Sequence, residues 1–379
     1  MHVGIVCYPS VGGSGIVATE LGLQLARRGH EVHFFSSEVP FRLRGFHERV
    51  FFHQVETPTY YVFREPPYVL SLASRIVQVH RLVGLDVVHA HYAIPHAAAA
   101  FLAREMAGGG FRVVTTLHGT DITLLAQEPS YAEVLAFCID RSDAVTAVSR
   151  ALREQTLATL GVQRPLEVIP NFLDCHVYQR QFRPEVRAAF ARPEEKIVMH
   201  MSNLRPVKRV EDVVRVFAAV ARQVPAQLLV VGDGPEAPRA LEMARALGVL
   251  HRVHFLGSQE DVVSLLSVAD LFLLPSETES FGLAALEAMA CGVPVVATRT
   301  GGLPEVVADG ETGCLLPVGD VEGMAAAALR ILTDPDRHAR MAAAGVERAR
   351  TVFCAEQVVP RYEALYKQIC GRRDGAGEP

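Results

Sequence analysis

The chain has 379 residues, half of them apolar and 21% charged, with a formal net charge of −5. That length exceeds what one hydrophobic core usually serves, so two domains are expected. The charge gives no electrostatic footprint for nucleic acid, no basic amphipathic helix marks a membrane surface, and no apolar run reaches the roughly 18 residues of a membrane span. The seven cysteines are scattered and lack Cys-x-x-Cys spacing, which fits a reduced, cytoplasmic setting. Small-molecule substrates are the expected partners, with nucleic acid and membrane excluded and a homo-oligomer left open.

Short β-branched runs alternate with amphipathic helices from the start. Strands are expected at residues 2–8, 31–36, 51–55, 86–90, 112–117 and 144–148, with helices at 15–28, 69–82 and 95–106 among them. This alternation predicts a parallel sheet with helices on both faces. The period restarts after about residue 170, with strands expected at 196–202, 227–231, 252–256, 271–274 and 293–297 and closing helices at 324–333 and 336–352. The fold class is therefore α/β with two Rossmann-like halves, divided as 1–169 and 170–354, a last helix at 355–371 and a charged, Gly-rich tail at 372–379 expected to be disordered.

The most informative stretch is Glu279-Ser280-Phe281-Gly282-Leu283-Ala284-Ala285-Leu286-Glu287, continued by Ala288-Met289-Ala290-Cys291-Gly292-Val293-Pro294. A buried strand precedes it, and a glycine marks a helix start, so Glu279 stands before the helix and Glu287 two turns inside. Open α/β sheets bind ligands at such a carboxyl edge. The amides of Phe281, Gly282 and Leu283 are expected to face a phosphate, since first-turn N–H groups lack partners and carry the positive end of the dipole. Glu287 is suited to accept hydroxyl hydrogens from a ribose, and Glu279 to meet a sugar ring. Taken alone, the two glutamates also fit an ordinary surface helix.

Other motifs end strands in the same way. Tyr8-Pro9-Ser10-Val11-Gly12-Gly13-Ser14-Gly15 follows the first strand, and its glycines let a ligand approach the backbone. The spacing departs from Gly-x-Gly-x-x-Gly, and only Glu38 could serve a ribose, so an NAD-linked oxidoreductase remains a rival that lacks its fingerprint. The alternating His89, His91 and His96 have no cysteine or carboxylate nearby to complete a ligand set, and no metal is expected. His91 and Tyr92 sit at the sheet's carboxyl edge. Thr115-Thr116-Leu117-His118-Gly119-Thr120-Asp121 brings hydroxyls and an imidazole to that edge, and His200-Met201-Ser202-Asn203-Leu204-Arg205-Pro206-Val207-Lys208-Arg209 offers cations to a diphosphate leaving group. Asp334-Pro335-Asp336, a literal Asp-x-Asp, reads as helix capping.

The Glu279-to-Glu287 element and its flanks resemble the Glu-x7-Glu signature of retaining glycosyltransferases of family 4, which have the GT-B fold of two facing Rossmann-like domains. The resemblance implies that the second half grips a nucleotide sugar and that helix 355–371 crosses back to the first. It places His118 beside the anomeric carbon and matches Lys208 to the family lysine. Asn203 stands where that family commonly has arginine, and Arg205 is the substitute cation. The implied catalytic set is His118, Glu279, Lys208 and Arg205, with Gly13, Ser14, Asn203, Phe281, Gly282, Leu283 and Glu287 on the donor. Segments of the first half resemble the branch that moves N-acetylglucosamine from UDP-N-acetylglucosamine to the hydroxyl of L-malate, the first step of bacillithiol biosynthesis. Acceptor candidates are then Ser14, Tyr92, Thr115, Thr116, Arg150 and Asn171. The chemistry implied is front-face displacement with no cofactor and no metal. Another small acceptor such as inositol phosphate, and a non-catalytic nucleotide-sugar sensor, stay open.

Overall fold

A computed structural model describes residues 1–9, 12–57 and 67–371. Ser10 and Val11 of the glycine turn and the tail 372–379 lie outside the described residues. The chain divides into two compact units, one of Met1–Phe172 with the segment from Ala355 onward, the other of Leu173–Cys354. The division falls three residues beyond the expected 169, and hydrogen bonding explains why. Ile169 N donates to Ala147 O of the first sheet, whereas Leu173 N donates to Phe353 O and Leu173 bridges Cys354.

The first unit holds β1 (His2–Val6), β2 (Glu31–Ser36), β3 (Val50–Gln54), β4 (Val87–His91), β5 (Arg112–Leu117), β6 (Ala144–Ala147) and β7 (Leu166–Val168). They form one parallel sheet in the order β3-β2-β1-β4-β5-β6-β7. The central strands are buried on both faces because helices cover both. Helix Gly13–Arg27 lies so close to the sheet that a Cβ on Gly22 would come within 2.3 Å of Phe34 Cζ. Helix Ala355–Gly371 belongs to this unit. Its Glu363 takes hydrogen bonds from Arg28 Nε at 2.8 Å and meets His30 Nε2 at 2.9 Å, while Tyr362 and Tyr366 are fully buried. Each buried ring contributes on the order of 2 kcal/mol, so the helix is bound by packing first and by polar contacts second.

The second unit holds β8 (Lys196–Met201), β9 (Ala226–Val231), β10 (Val253–Phe255), β11 (Leu271–Leu274), β12 (Val295–Thr298) and β13 (Gly313–Leu316), parallel and ordered β10-β9-β8-β11-β12-β13. Its core packs Val213, Phe217 and Val220 of helix Val210–Ala221 with Leu228, Val230 and Leu273 of the sheet. Strands β7 and β13 escaped the sequence reading because each is short and edges a sheet, with little apolar run to announce it. Cys175 and Cys354 form a disulfide, contrary to the expectation of unpaired thiols. They stand 179 residues apart, and the Leu173–Cys354 bridge is what brings them together.

Strand order reverses between β1 and β4 in one sheet and between β8 and β11 in the other. At each reversal the crossovers leave to opposite faces, opening a crevice at the carboxyl ends where ligands bind. Among the described residues no helix is long and apolar enough to cross a membrane.

Candidate active site

In the second unit the chain leaves β8 at Met201 and turns through Ser202 to Lys208. Buried His200 sets that turn, its Nδ1 bonded to Leu273 O at 2.9 Å and its Nε2 to Ser202 Oγ at 2.8 Å. Gly232, after β9, lies at φ +111°, and a Cβ there would stand 1.8 Å from Ser202 O. Only glycine lets the two turns press together.

From β11 the loop brings Glu279 to the same place. Lys208 Nζ donates to Glu279 Oε1 at 2.5 Å, and Ser276 Oγ donates to that oxygen at 3.0 Å. Gly302 N donates to Glu279 O at 2.8 Å, and a Cβ on Gly301 would lie 1.9 Å from it, so the backbone is held as tightly as the carboxylate. Two motifs 71 residues apart thus meet in a half-buried ion pair at the switch point. The pair gives the Lys208 cation a fixed direction.

Helix Leu283–Ala290 begins beside this pair, capped by Gly282 at φ +101°. Gly282 and Leu283 therefore supply first-turn amides, as expected, and the third comes from Ala284. Phe281 precedes the cap, and its ring is buried edge-on to Phe353 with centroids 5.7 Å apart. That ring anchors the loop. Glu287 is buried, and Tyr178 donates its hydroxyl to Oε1 at 2.7 Å. Tyr178 was missed because it lies in the stretch that reads only as a connection. Asn203 and Arg205 are exposed on the turn; Lys208 N donates to Arg205 O at 2.8 Å, but no ion pair or side-chain hydrogen bond joins Arg205 to Lys208 or Glu279 among the described residues.

In the first unit His91 ends β4 and His118 follows β5, with His91 Nδ1 2.9 Å from His118 Nε2. Tyr92, held at φ +102°, lays its ring 5.4 Å from His118 and 5.4 Å from Tyr8. A non-glycine residue pays for such a backbone, and strain of this kind collects at functional sites. Burial, then His96, pushes the His118 pKa down to about 3, and burial with three neighbouring imidazoles carries His91 well below the usual value. Both rings are neutral at pH 7 and act as hydrogen-bonding groups. Asp121 is buried with Oδ1 accepting from Gly119 N at 3.0 Å, and burial pushes its pKa up to about 6.

Gly13 and Ser14 open helix Gly13–Arg27 after β1, and Arg150 opens helix Arg150–Leu160 after β6, exposed beyond the Ser149 cap. Asn171 is buried, its Oδ1 without a hydrogen-bond partner among the described residues. Thr115 and Thr116 are corrected: both are fully buried, with Thr115 Oγ1 bonded to Ser142 Oγ at 2.8 Å and Thr116 Oγ1 to His89 Nε2 and Thr146 Oγ1 at 2.6 Å. The Thr115 hydroxyl ties β5 to the end of helix Pro129–Arg141 and the Thr116 hydroxyl ties β5 to β4 and β6, so both are spent inside the unit. His89 also meets Tyr366 at 2.7 Å, and His96 Nδ1 meets His91 O at 2.5 Å, so both are interior residues.

Residues 11–177 match Glycosyltransferase Family 4, and residues 182–348 match Glycosyl transferases group 1. The N-acetyl-alpha-D-glucosaminyl L-malate synthase of Bacillus anthracis is 47% identical over 370 residues, 97% of each chain. A GDP-mannose-dependent alpha-(1-6)-phosphatidylinositol monomannoside mannosyltransferase of Mycolicibacterium smegmatis is 33% identical over 77% of this chain and 78% of its own. Among solved structures, a sucrose-phosphate synthase from Thermosynechococcus elongatus superposes with TM-score 0.84 at 23% identity, covering 98% of this chain and all of its own. Anabaena HepE in complex with UDP-glucose gives 0.81 at 20% identity, over 97% of this chain and all of its own.

Proposed function

This chain belongs to glycosyltransferase family 4 and has the GT-B fold, and from that premise we propose that it transfers N-acetylglucosamine from UDP-N-acetylglucosamine to the hydroxyl of L-malate with retention at the anomeric carbon. The observation that carries the reading is the Lys208–Glu279 pair at the start of helix Leu283–Ala290. It is a cation and a set of amides facing one crevice, which is what a departing nucleoside diphosphate requires. The L-malate synthase of Bacillus anthracis supports the choice of sugar and acceptor, since its likeness runs through both halves.

In the proposed reaction the bond from the anomeric carbon to the β-phosphate oxygen breaks as the malate hydroxyl oxygen bonds on the same face. The hydroxyl proton passes to the departing phosphate oxygen, and UDP leaves. Lys208 and the amides of Gly282, Leu283 and Ala284 hold the charge that builds on the diphosphate, Glu287 takes ribose hydroxyls, and neutral His118 hydrogen-bonds the sugar. No metal enters the proposal. The test is mass spectrometry of products formed with a panel of small hydroxy acids and inositol phosphate, without added metal. Product with L-malate and UDP release that depends on it are expected. Product with inositol phosphate alone would overturn the acceptor and leave the family standing.

A further inference from the structure

We propose that His2, Glu31 and His33 form a zinc site at the amino-terminal edge of the first sheet, remote along the strands from the edge that carries His118. His2 opens β1 and Glu31 opens β2, and the parallel register pairs these two residues. Strand side chains repeat every second residue, so His33 falls on the face that bears Glu31. The three ligand atoms, one per residue, all lie within 4.8 Å of one another, and His2 Nδ1 stands 3.4 Å from Glu31 Oε2. A tetrahedral zinc with ligands near 2.0–2.1 Å has edges of about 3.3 Å, so small side-chain rotations close the set.

The independent observation is unmet hydrogen bonding. His33 Nε2 is a buried atom without a hydrogen-bond partner among the described residues, His2 Nδ1 is buried with only its 3.4 Å ion-pair contact to Glu31 Oε2, and His33 is only 2% exposed. Leaving such nitrogens unpaired is costly, and native interiors rarely do so without a reason. The other nitrogen of His33 is already bonded, Nδ1 lying 2.9 Å from His53 Nε2, and stacking on Phe51 at 4.9 Å fixes the ring. With Nδ1–H donating to His53, the Nε2 lone pair points to the set, which is how a supporting hydrogen bond orients a metal-binding imidazole. Backbone bonds hold the ends of both strands, His2 N to Asp86 Oδ2 at 2.9 Å and Glu31 N to Met1 O at 3.0 Å. Two imidazoles and a carboxylate suit zinc, with a fourth position left for water or an exogenous ligand. Since ligands sit at the carboxyl edge of such sheets, this ion would tie β1 to β2, and through His53 to β3, without touching substrate.

The test uses the full, untagged chain stripped with a chelator and titrated with zinc chloride by calorimetry, with thermal unfolding alongside. One saturable equivalent and a higher Tm are expected. His33 is a core residue, so the test rests on the half-exposed His2→Gln and Glu31→Gln, each of which should abolish that equivalent and its Tm shift while unfolding normally without zinc. His53→Gln should weaken binding about 10–100-fold, the usual effect of losing an orienting partner. Absence of saturable uptake by the parent, or an equivalent retained by His2→Gln or Glu31→Gln, overturns the proposal.

Discussion

Lys208→Met removes the cation proposed to face the departing diphosphate while keeping the length of the side chain. Loss of one preorganised charge or donor at a developing anion costs about 10²–10³ in kcat, or roughly 3–4 kcal/mol. The same change strands Glu279, whose side chain is 12% exposed and keeps Ser276 Oγ at 3.0 Å. Breaking a well-buried pair costs roughly 3–5 kcal/mol of stability, and partial access of solvent lowers that to about 1–3 here. A fall in rate could therefore be mistaken for unfolding, and the double variant Lys208→Met/Glu279→Gln separates the two. Removing both charges returns most of the stability but restores no cation. UDP release at saturating donor and L-malate, measured beside urea unfolding, reads each effect on its own scale. A Lys208→Met enzyme that keeps kcat within about threefold of the parent, or a double variant that regains turnover together with stability, would show that Lys208 does not stabilise the departing diphosphate.

Glu287→Ala should weaken UDP binding about 10–100-fold by calorimetry, the value of hydroxyl bonds to a charged acceptor, and Tyr178→Phe should cost less because it frees the carboxylate without removing it. Arg150→Met should raise the KM for L-malate and leave UDP affinity unchanged, in steady-state kinetics with each substrate varied. The pKa values of His89 and His118 lie near 3 and those of His96 and His200 near 4, lowered foremost by burial in each case. Against about 6.5 in the unfolded chain, the native state binds fewer protons between pH 6.5 and 4. Stability should be full above 6.5 and fall with acid by up to about 1.4 kcal/mol per pH unit per histidine, with Asp121 opposing by one proton below its raised value of about 6. Urea midpoints that stay level from pH 7 to 5 would contradict this. Gly232→Ala drives a Cβ to 1.8 Å from Ser202 O and should cost about 2–4 kcal/mol, whereas Gly248→Ala meets nothing within 4 Å and should cost only about 1 kcal/mol, compared by thermal unfolding.

Much of the geometry of the proposed donor side was legible because its information is local. A strand, a turn rich in glycine and a helix start follow one another in the chain, so Glu279, Gly282 and Leu283 could be placed from their order alone. The lysine could be placed because Lys208 also follows a strand directly, and the ion pair is simply the meeting of two switch-point turns. What escaped was set by packing. Thr115 and Thr116 end a strand as a binding pair would, yet pleating sends one hydroxyl to Ser142 and the other to Thr146, and the sequence carries no record of which neighbours fill the two faces. Tyr178 reaches Glu287 across 109 residues from a segment with no periodicity, and Cys175 reaches Cys354 by a bridge that spacing cannot announce.

The neutral imidazoles of the first unit constrain how a dianionic acceptor would be held. L-malate carries two carboxylates at pH 7, and desolvating them demands positive potential within the site. His91, His96 and His118 cannot supply it, since burial keeps all three uncharged, with repulsion from neighbouring imidazoles adding to it at His91 and His118, and a second proton in that cluster would face the first across 2.9 Å between His91 and His118. Among the described residues, the sources at the carboxyl edge of this sheet include the amides that start helix Gly13–Arg27 and the exposed Arg150 at the start of helix Arg150–Leu160. An arginine stays charged at every working pH, and a helix start carries partial charge that does not titrate. Recognition built this way would leave the histidines free to serve the sugar as neutral hydrogen-bonding groups. It would also separate acceptor binding from histidine titration, so that acid should reach this enzyme through the fold before it reaches the affinity for malate.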